Sequence, residues 1–142
     1  MSHFRFSIPV QVRYSDLDVQ WHVNNARFLS FLEQARFEYL MQLVLFDGKS
    51  FHEIGMILAD MHIAYLNPID PGQKIEVALR VSRLGNKSIH FKYEIRDSEN
   101  GQIKAQAESV NVAYDYHTRT SQPVPAVWRE RISQFEGIPA GS

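Results

Sequence analysis

Two carboxylates, an imidazole and two adjacent carboxamides fall within the ten residues from Asp16 to Asn25. They lie in the run Arg13-Tyr14-Ser15-Asp16-Leu17-Asp18-Val19-Gln20-Trp21-His22-Val23-Asn24-Asn25-Ala26-Arg27-Phe28. A carboxylate such as Asp18 can attack a carbonyl carbon or serve as general base toward water. His22 can orient a carbonyl or a water molecule. Asn24 and Asn25 stand where a helix is expected to begin, and such a terminus offers unpaired N–H groups and partial positive charge. An oxyanion developing there would be stabilised. The same residue types also cap helices and form turns, and composition alone favours that plainer reading. Asp16 in particular reads as a turn or N-cap residue rather than a second catalyst.

The flanking pattern supplies the elements that would position this loop. From His3 to Tyr14, the residues Phe4, Phe6, Ile8, Val10 and Val12 alternate with polar or small ones, which is strand periodicity. From Ala26 to about Phe46 apolar residues recur at three- and four-residue steps, which predicts a helix of about five turns. Phe31, Phe37, Val44 and Leu45 make it apolar around much of its circumference, so it is expected to be deeply buried. Asp47-Gly48-Lys49-Ser50 ends it, and Phe51 to Gly55 is a turn or short helical piece. Strand-like runs follow at Met56–Leu66, Gln73–Arg83, Lys87–Asp97 and Gln102–Tyr116. In the last, apolar parity passes from Ile103, Ala105 and Ala107 to Val110, Val112 and Tyr114, which implies a bulge near Glu108 or Ser109, or burial of both faces. A short helix from about Ala126 to Phe135 closes the chain. Short connections make the sheet mostly antiparallel. One long helix against one such sheet is an α+β layout, and its uncovered face and edges argue for dimerisation.

Composition narrows the chemistry. The 142 residues are one domain's worth of chain, 44% hydrophobic and 22% charged, with a net charge of -1. So balanced a chain exerts no global pull on nucleic acid. There is no cysteine, which removes disulfides, thiolate nucleophiles and Cys-type zinc sites. His52-Glu53-Ile54-Gly55-Met56 starts like a zinc-protease helix but lacks the second histidine, so no metal is expected. No apolar run is long enough for a membrane span and no signal segment opens the chain, so the expected location is the cytoplasm. Asp60 and His62 share one face of a strand, most simply as a structural pair, and His90 belongs to the exposed face of its strand. Glu33 and Arg36 have the spacing of a helical ion pair.

Asp16-Leu17-Asp18, His22-Val23-Asn24-Asn25-Ala26-Arg27-Phe28 and Phe31-Leu32-Glu33-Gln34-Ala35-Arg36 together resemble the hotdog-fold thioesterases. The similarity is to the 4-hydroxybenzoyl-CoA thioesterase-like and acyl-ACP thioesterase-like groups. It continues at Tyr65-Leu66-Asn67-Pro68, at Gly72 and at Arg83-Leu84-Gly85-Asn86-Lys87-Ser88, covering nearly the whole chain. The resemblance implies a five-stranded sheet curled around a central helix, assembly as a homodimer or homotetramer, and hydrolysis of an acyl-CoA or acyl-ACP thioester without a cofactor. It implies four catalytic residues: Asp18 as nucleophile or general base, Asn25 through its N–H as oxyanion donor, and His22 and Asn24, which position the carbonyl or the Asp18 side chain. In the acyl-ACP type the equivalents of Asp18 and His22 are catalytic. Gln20 stands where the acyl-ACP type has asparagine, Trp21 where many relatives have glycine, and Phe28 where tyrosine is common. Gln20 and Trp21 are therefore candidate substrate contacts, and Arg83 and Lys87 candidates for the CoA phosphates. The alternatives are an acyl-CoA hydratase, against which the Val23-Asn24-Asn25 run argues, and a non-catalytic acyl-CoA-binding module.

Overall fold

The computed structural model describes residues 3–45 and 55–141. Its elements, in chain order, are β1 (Phe6–Val10), a 3-10 turn at Tyr14–Asp16, α1 (Asn25–Gln42), β2 (Met56–Tyr65), β3 (Ile75–Leu84), β4 (Ser88–Asp97), β5 (Ile103–Asp115), β6 (Thr120–Ser121) and α2 (Ala126–Glu136). The sheet is antiparallel throughout, in the order β1-β3-β4-β5-β2, with the two-residue β6 beside β5. The five long strands are those the alternation foretells, and β6 is an addition. The turn expected at Asp47-Gly48 and most of the piece at Phe51–Gly55 lie outside the described residues.

α1 lies on the inner face of the sheet against β1 and β3. Its buried stripe of Phe28, Phe31, Leu32, Ala35, Tyr39 and Leu40 follows three- and four-residue steps. Facing it are Val77, Leu79, Ile89, Phe91, Tyr93 and Ile95, all at most 2% exposed. The helix is not buried all round: Leu29, Ser30, Glu33 and Gln34 are exposed. It also stops short of the expected end near Phe46. Leu45 N–H bonds to Leu40 O at 2.8 Å and Val44 N–H to Met41 O at 3.1 Å, with Val44 left-handed at φ 57°. That is a Schellman ending whose key position, usually glycine, is held by valine. β1 is likewise shorter than the His3–Tyr14 alternation suggests, because the chain turns into the 3-10 segment.

No bulge occurs near Glu108 or Ser109. The irregularities lie elsewhere, between Leu58 and Asp60 of β2 and at Lys104 of β5, which the pairing with β4 skips. β5 keeps one parity, with Ala105, Ala107, Ser109, Asn111 and Ala113 buried and Val110, Val112 and Tyr114 half-buried on the outer face. Both faces therefore take up apolar surface, the second of the two expected solutions.

α2 seals the other end of the core. Glu136, 9% exposed, accepts a hydrogen bond from the Tyr39 hydroxyl at 2.7 Å and from Val81 N–H at 2.9 Å. Val81 borders the β3 irregularity between Val81 and Arg83. Burial first, and then the Glu136 charge, push Tyr39 ionisation far above the usual phenol range.

Candidate active site

The loop from β1 to α1 folds back on itself before the helix begins. Leu17 and Val23 form an antiparallel bridge. Asp18 N–H donates to His22 O at 2.9 Å and Trp21 N–H to Asp18 O at 3.0 Å. The turn needs a left-handed residue, and Trp21 takes it at φ 61°. Glycine at this position would be free of strain, whereas a bulky side chain is not.

Asp16 lies beneath the turn, 1% exposed. Its Oδ2 accepts from Arg13 N–H at 2.7 Å, and Arg27 Nε stands 3.7 Å from Oδ1. Its backbone carbonyl receives Asn24 N–H at 2.8 Å. Asp16 is thus a structural tie between turn and helix, as its turn-forming character suggests.

Asp18 is half-buried and points into the loop. Its Oδ1 accepts from Gln20 N–H at 2.9 Å and from His22 N–H at 3.4 Å. One carboxylate oxygen is thereby fixed by main-chain donors. His22 meets Asp18 only through its backbone; its imidazole Nε2 lies 3.4 Å from Asp70 Oδ1, both side chains well exposed. Asn24 is the N-cap of α1, its Oδ1 accepting from Ala26 N–H at 2.9 Å. Asn25 is the first helical residue, so its N–H has no intrahelical acceptor, and the Asn24 cap is spent on Ala26.

These residues rim a cleft of about 430 Å³. Asp18, Gln20 and His22 form one side, Asn24, Asn25 and Phe28 another. The third wall is Tyr65–Pro68, a strand end and a turn to which the family resemblance extends without marking it as part of the site. Tyr65 donates to Asn25 O at 3.1 Å and stands edge-on to Phe28, ring centroids 5.1 Å apart. A buried lysine holds that wall: Lys104, 2% exposed, donates from Nζ to Pro68 O at 3.0 Å and to Gln102 Oε1 at 2.7 Å. Its carbonyl accepts from Leu66 N–H and Asn67 N–H. Val23 N–H completes the seam by donating to Ile69 O at 2.9 Å.

Three sequence candidates are not brought to this cleft. Trp21 turns outward, 58% exposed, and meets Tyr14 edge-on at 6.0 Å. Lys87 reaches Ser121 at 3.4 Å. Arg83 lines a separate recess of about 200 Å³ on the outer sheet face with Asp60, His62 and His90. His90 is half-buried, its Nε2 is 3.1 Å from Ser88 Oγ, and burial and then the Arg83 charge depress its pKa below the usual imidazole value. Among the described residues Glu33 and Arg36 form no ion pair. Arg36 instead donates to the Tyr93 hydroxyl at 3.0 Å. No group of acids and imidazoles among the described residues is arranged to hold a metal ion, and no described helix is long and apolar enough to cross a membrane.

Comparison with known proteins agrees with this architecture. Residues 12–132 match the model of the thioesterase-like superfamily. The chain is 30% identical over 126 residues to the long-chain acyl-CoA thioesterase FadM of Escherichia coli, covering 89% of this chain and 96% of that one. It is 28% identical over 132 residues to the 1,4-dihydroxy-2-naphthoyl-CoA hydrolase of Synechococcus elongatus, covering 91% and 93%. A crystal structure of a Thermus thermophilus thioesterase complexed with coenzyme A and Zn superposes with a TM-score of 0.85 at 34% identity, covering 98% of this chain and 100% of that one. With a family match across most of its length and the strand-to-helix cleft in the expected place, the chain belongs to the thioesterase-like superfamily of hotdog-fold proteins.

Proposed function

We propose that the protein hydrolyses acyl-CoA thioesters at the cleft between the Asp18 loop and the N-terminus of α1. The observation that carries this reading is the posture of Asp18. Two main-chain N–H groups hold Oδ1, which leaves Oδ2 to act toward the cleft. Asn25 lines the same cleft, and its N–H, without an intrahelical acceptor, is the donor proposed to meet the thioester oxygen as charge builds on it. In the reaction, water adds as hydroxide to the acyl carbon, the C–S bond breaks, and the departing thiolate ends with the proton. Asp18 either takes the proton from water or first attacks the acyl carbon to give an anhydride that water then opens. A thiolate is a good leaving group, so the site needs no strong general acid. His22, tied to Asp70, and Asn24, spent as the cap, shape the cleft rather than carry protons. The acyl-CoA substrates named for two relatives support CoA as the carrier. β2 also ends the sheet with a ten-residue edge and α1 exposes Leu29 and Glu33, which supports assembly into homodimers.

The test is thiol release from short, long and aromatic acyl-CoAs by wild type and Asp18→Asn. Asparagine keeps an acceptor for the loop N–H groups, so the loop is retained. The expected loss in kcat/KM is about a hundredfold or more. Full activity in the variant would overturn the assignment. Single turnover in heavy-oxygen water separates the two routes, because only direct attack leaves label in Asp18.

A further inference from the structure

Ser109 and Asn111, on the core face of β5, are 2% and 1% exposed. They end a hydrogen-bonded chain that starts on the central helix. Arg36 Nη1 donates to the Tyr93 hydroxyl at 3.0 Å, the Tyr93 and Ser109 hydroxyls lie 2.6 Å apart, and Ser109 Oγ donates to Asn111 Oδ1 at 2.9 Å. Ser109 has one hydroxyl hydrogen and gives it to Asn111, so at the Tyr93–Ser109 contact Tyr93 is the donor and Ser109 the acceptor. The chain therefore ends on the carboxamide oxygen, leaving Asn111 Nδ2 with no acceptor among the described residues. No side-chain nitrogen or oxygen sealed from solvent lacks a partner among those residues, so this NH₂ group opens onto space.

The space is a cavity of about 180 Å³ between α1 and the N-terminal half of β2, which Asn111 lines together with Arg36, Glu33, Leu40, Met56 and Leu58. Three of those walls are hydrocarbon. An unmatched amide donor in such a place calls for an acceptor. Arg36 by itself would favour an anion, but Glu33 shares the cavity and offsets its charge, so an anion would face a carboxylate there.

We propose that this cavity is a subsite for an uncharged oxygen, a hydroxyl or keto group on an otherwise apolar chain, with Asn111 Nδ2 and Arg36 as its donors. The inference rests on the thioesterase reading and deepens it: the group belongs to the acyl part of the substrate. Arg36 follows Asn25 by eleven residues, about 16 Å along the helix. The half-buried Met61 and Ile63 of β2 belong to the same inner face. The oxygen is therefore carried well away from the thioester carbon.

Calorimetric titration with stearic acid, a mid-chain hydroxystearic acid and the matching ketostearic acid tests the subsite without turnover. Wild type is expected to bind the oxygenated acids at least about tenfold more tightly than stearic acid. Asn111→Leu abolishes that preference and leaves stearic acid binding in place. Because Asn111 is buried and its loss could disturb folding, Leu58→Trp is the second variant. It starts from a side chain 47% exposed and fills the cavity from its rim, and it too removes the preference. Equal affinities in wild type, or a preference unchanged in both variants, overturns the subsite. The two readings fail separately. A binding preference without hydrolysis of any acyl-CoA overturns the thioesterase function and leaves the subsite. Hydrolysis of stearoyl-CoA and hydroxystearoyl-CoA with equal kcat/KM, together with equal binding of the acids, overturns the subsite and leaves the function.

Discussion

Trp21 offers a measurement of what the catalytic loop costs the fold. Its φ of 61° lies in the left-handed region, where a residue with a Cβ loses about 1–2 kcal/mol. Its compensation is the edge-on contact with Tyr14, worth about 0.5–1.5 kcal/mol in general and near the lower end here, since Tyr14 is 81% exposed. Trp21→Ala gives up the contact and keeps the backbone cost, so it should destabilise by about 0.5 kcal/mol. Trp21→Gly gives up the same contact but releases the backbone, while widening the unfolded ensemble by about 0.4–1 kcal/mol. The difference between the two variants cancels the contact and isolates the backbone: glycine should be the more stable by about 0.5–1 kcal/mol. Urea denaturation reads this directly. Trp128, 9% exposed in the core, remains as the fluorescence reporter in both proteins. A midpoint for Trp21→Ala equal to or above that of Trp21→Gly, at equal slope, would refute the claim that the loop stores strain at this residue.

Two further outcomes follow from groups far from the cleft. Glu136→Gln keeps one oxygen able to accept from both Tyr39 and Val81 and should cost about 1 kcal/mol, whereas Glu136→Leu strands two buried donors and should cost about 3–5 kcal/mol, read by chemical denaturation. His90, whose pKa is lowered by burial and then by Arg83, binds its proton less readily folded than unfolded. Its contribution is therefore fully present above about pH 6.5 and is lost as the pH falls below that value toward the folded pKa. Stability measured across that window should fall less steeply in His90→Gln than in wild type, and identical slopes would remove His90 from the account.

The elements were legible where local pattern and final environment agree. β3 and β4 bury alternate residues, and their inward positions can be read from Val77, Leu79 and Val81, and from Ile89, Phe91, Tyr93 and Ile95. The end of α1 was not legible, because Val44 occupies a left-handed position that sequence ordinarily assigns to glycine. The loop bearing Asp18 could be found because its residue types are concentrated in one stretch. The opposite wall could not: Tyr65–Pro68 acquires its place from Lys104 and from the Val23–Ile69 bond, contacts between segments distant in sequence. Sequence spacing also paired Glu33 with Arg36, whereas Arg36 bonds to Tyr93 on a strand 57 residues away.

β5 makes the same point in a form that bears on substrate. Alternation is recognised by apolar residues, and at Ser109 and Asn111 the inward face is polar, so the apolar signal jumps to Val110 and Val112 and imitates a change of parity. A core strand tolerates such residues only when their hydrogen bonds are met. Tyr93, itself held by Arg36, meets that of Ser109, and Ser109 meets that of the Asn111 oxygen, but nothing among the described residues meets those of the Asn111 amide. Ser109 is needed to receive the buried Tyr93 hydroxyl, whereas an apolar residue at position 111 would have left no amide donor to satisfy. Of the two residues that defeat the periodicity, Asn111 is therefore the one whose amide packing does not explain, and the cavity beside it is where a reason is to be sought.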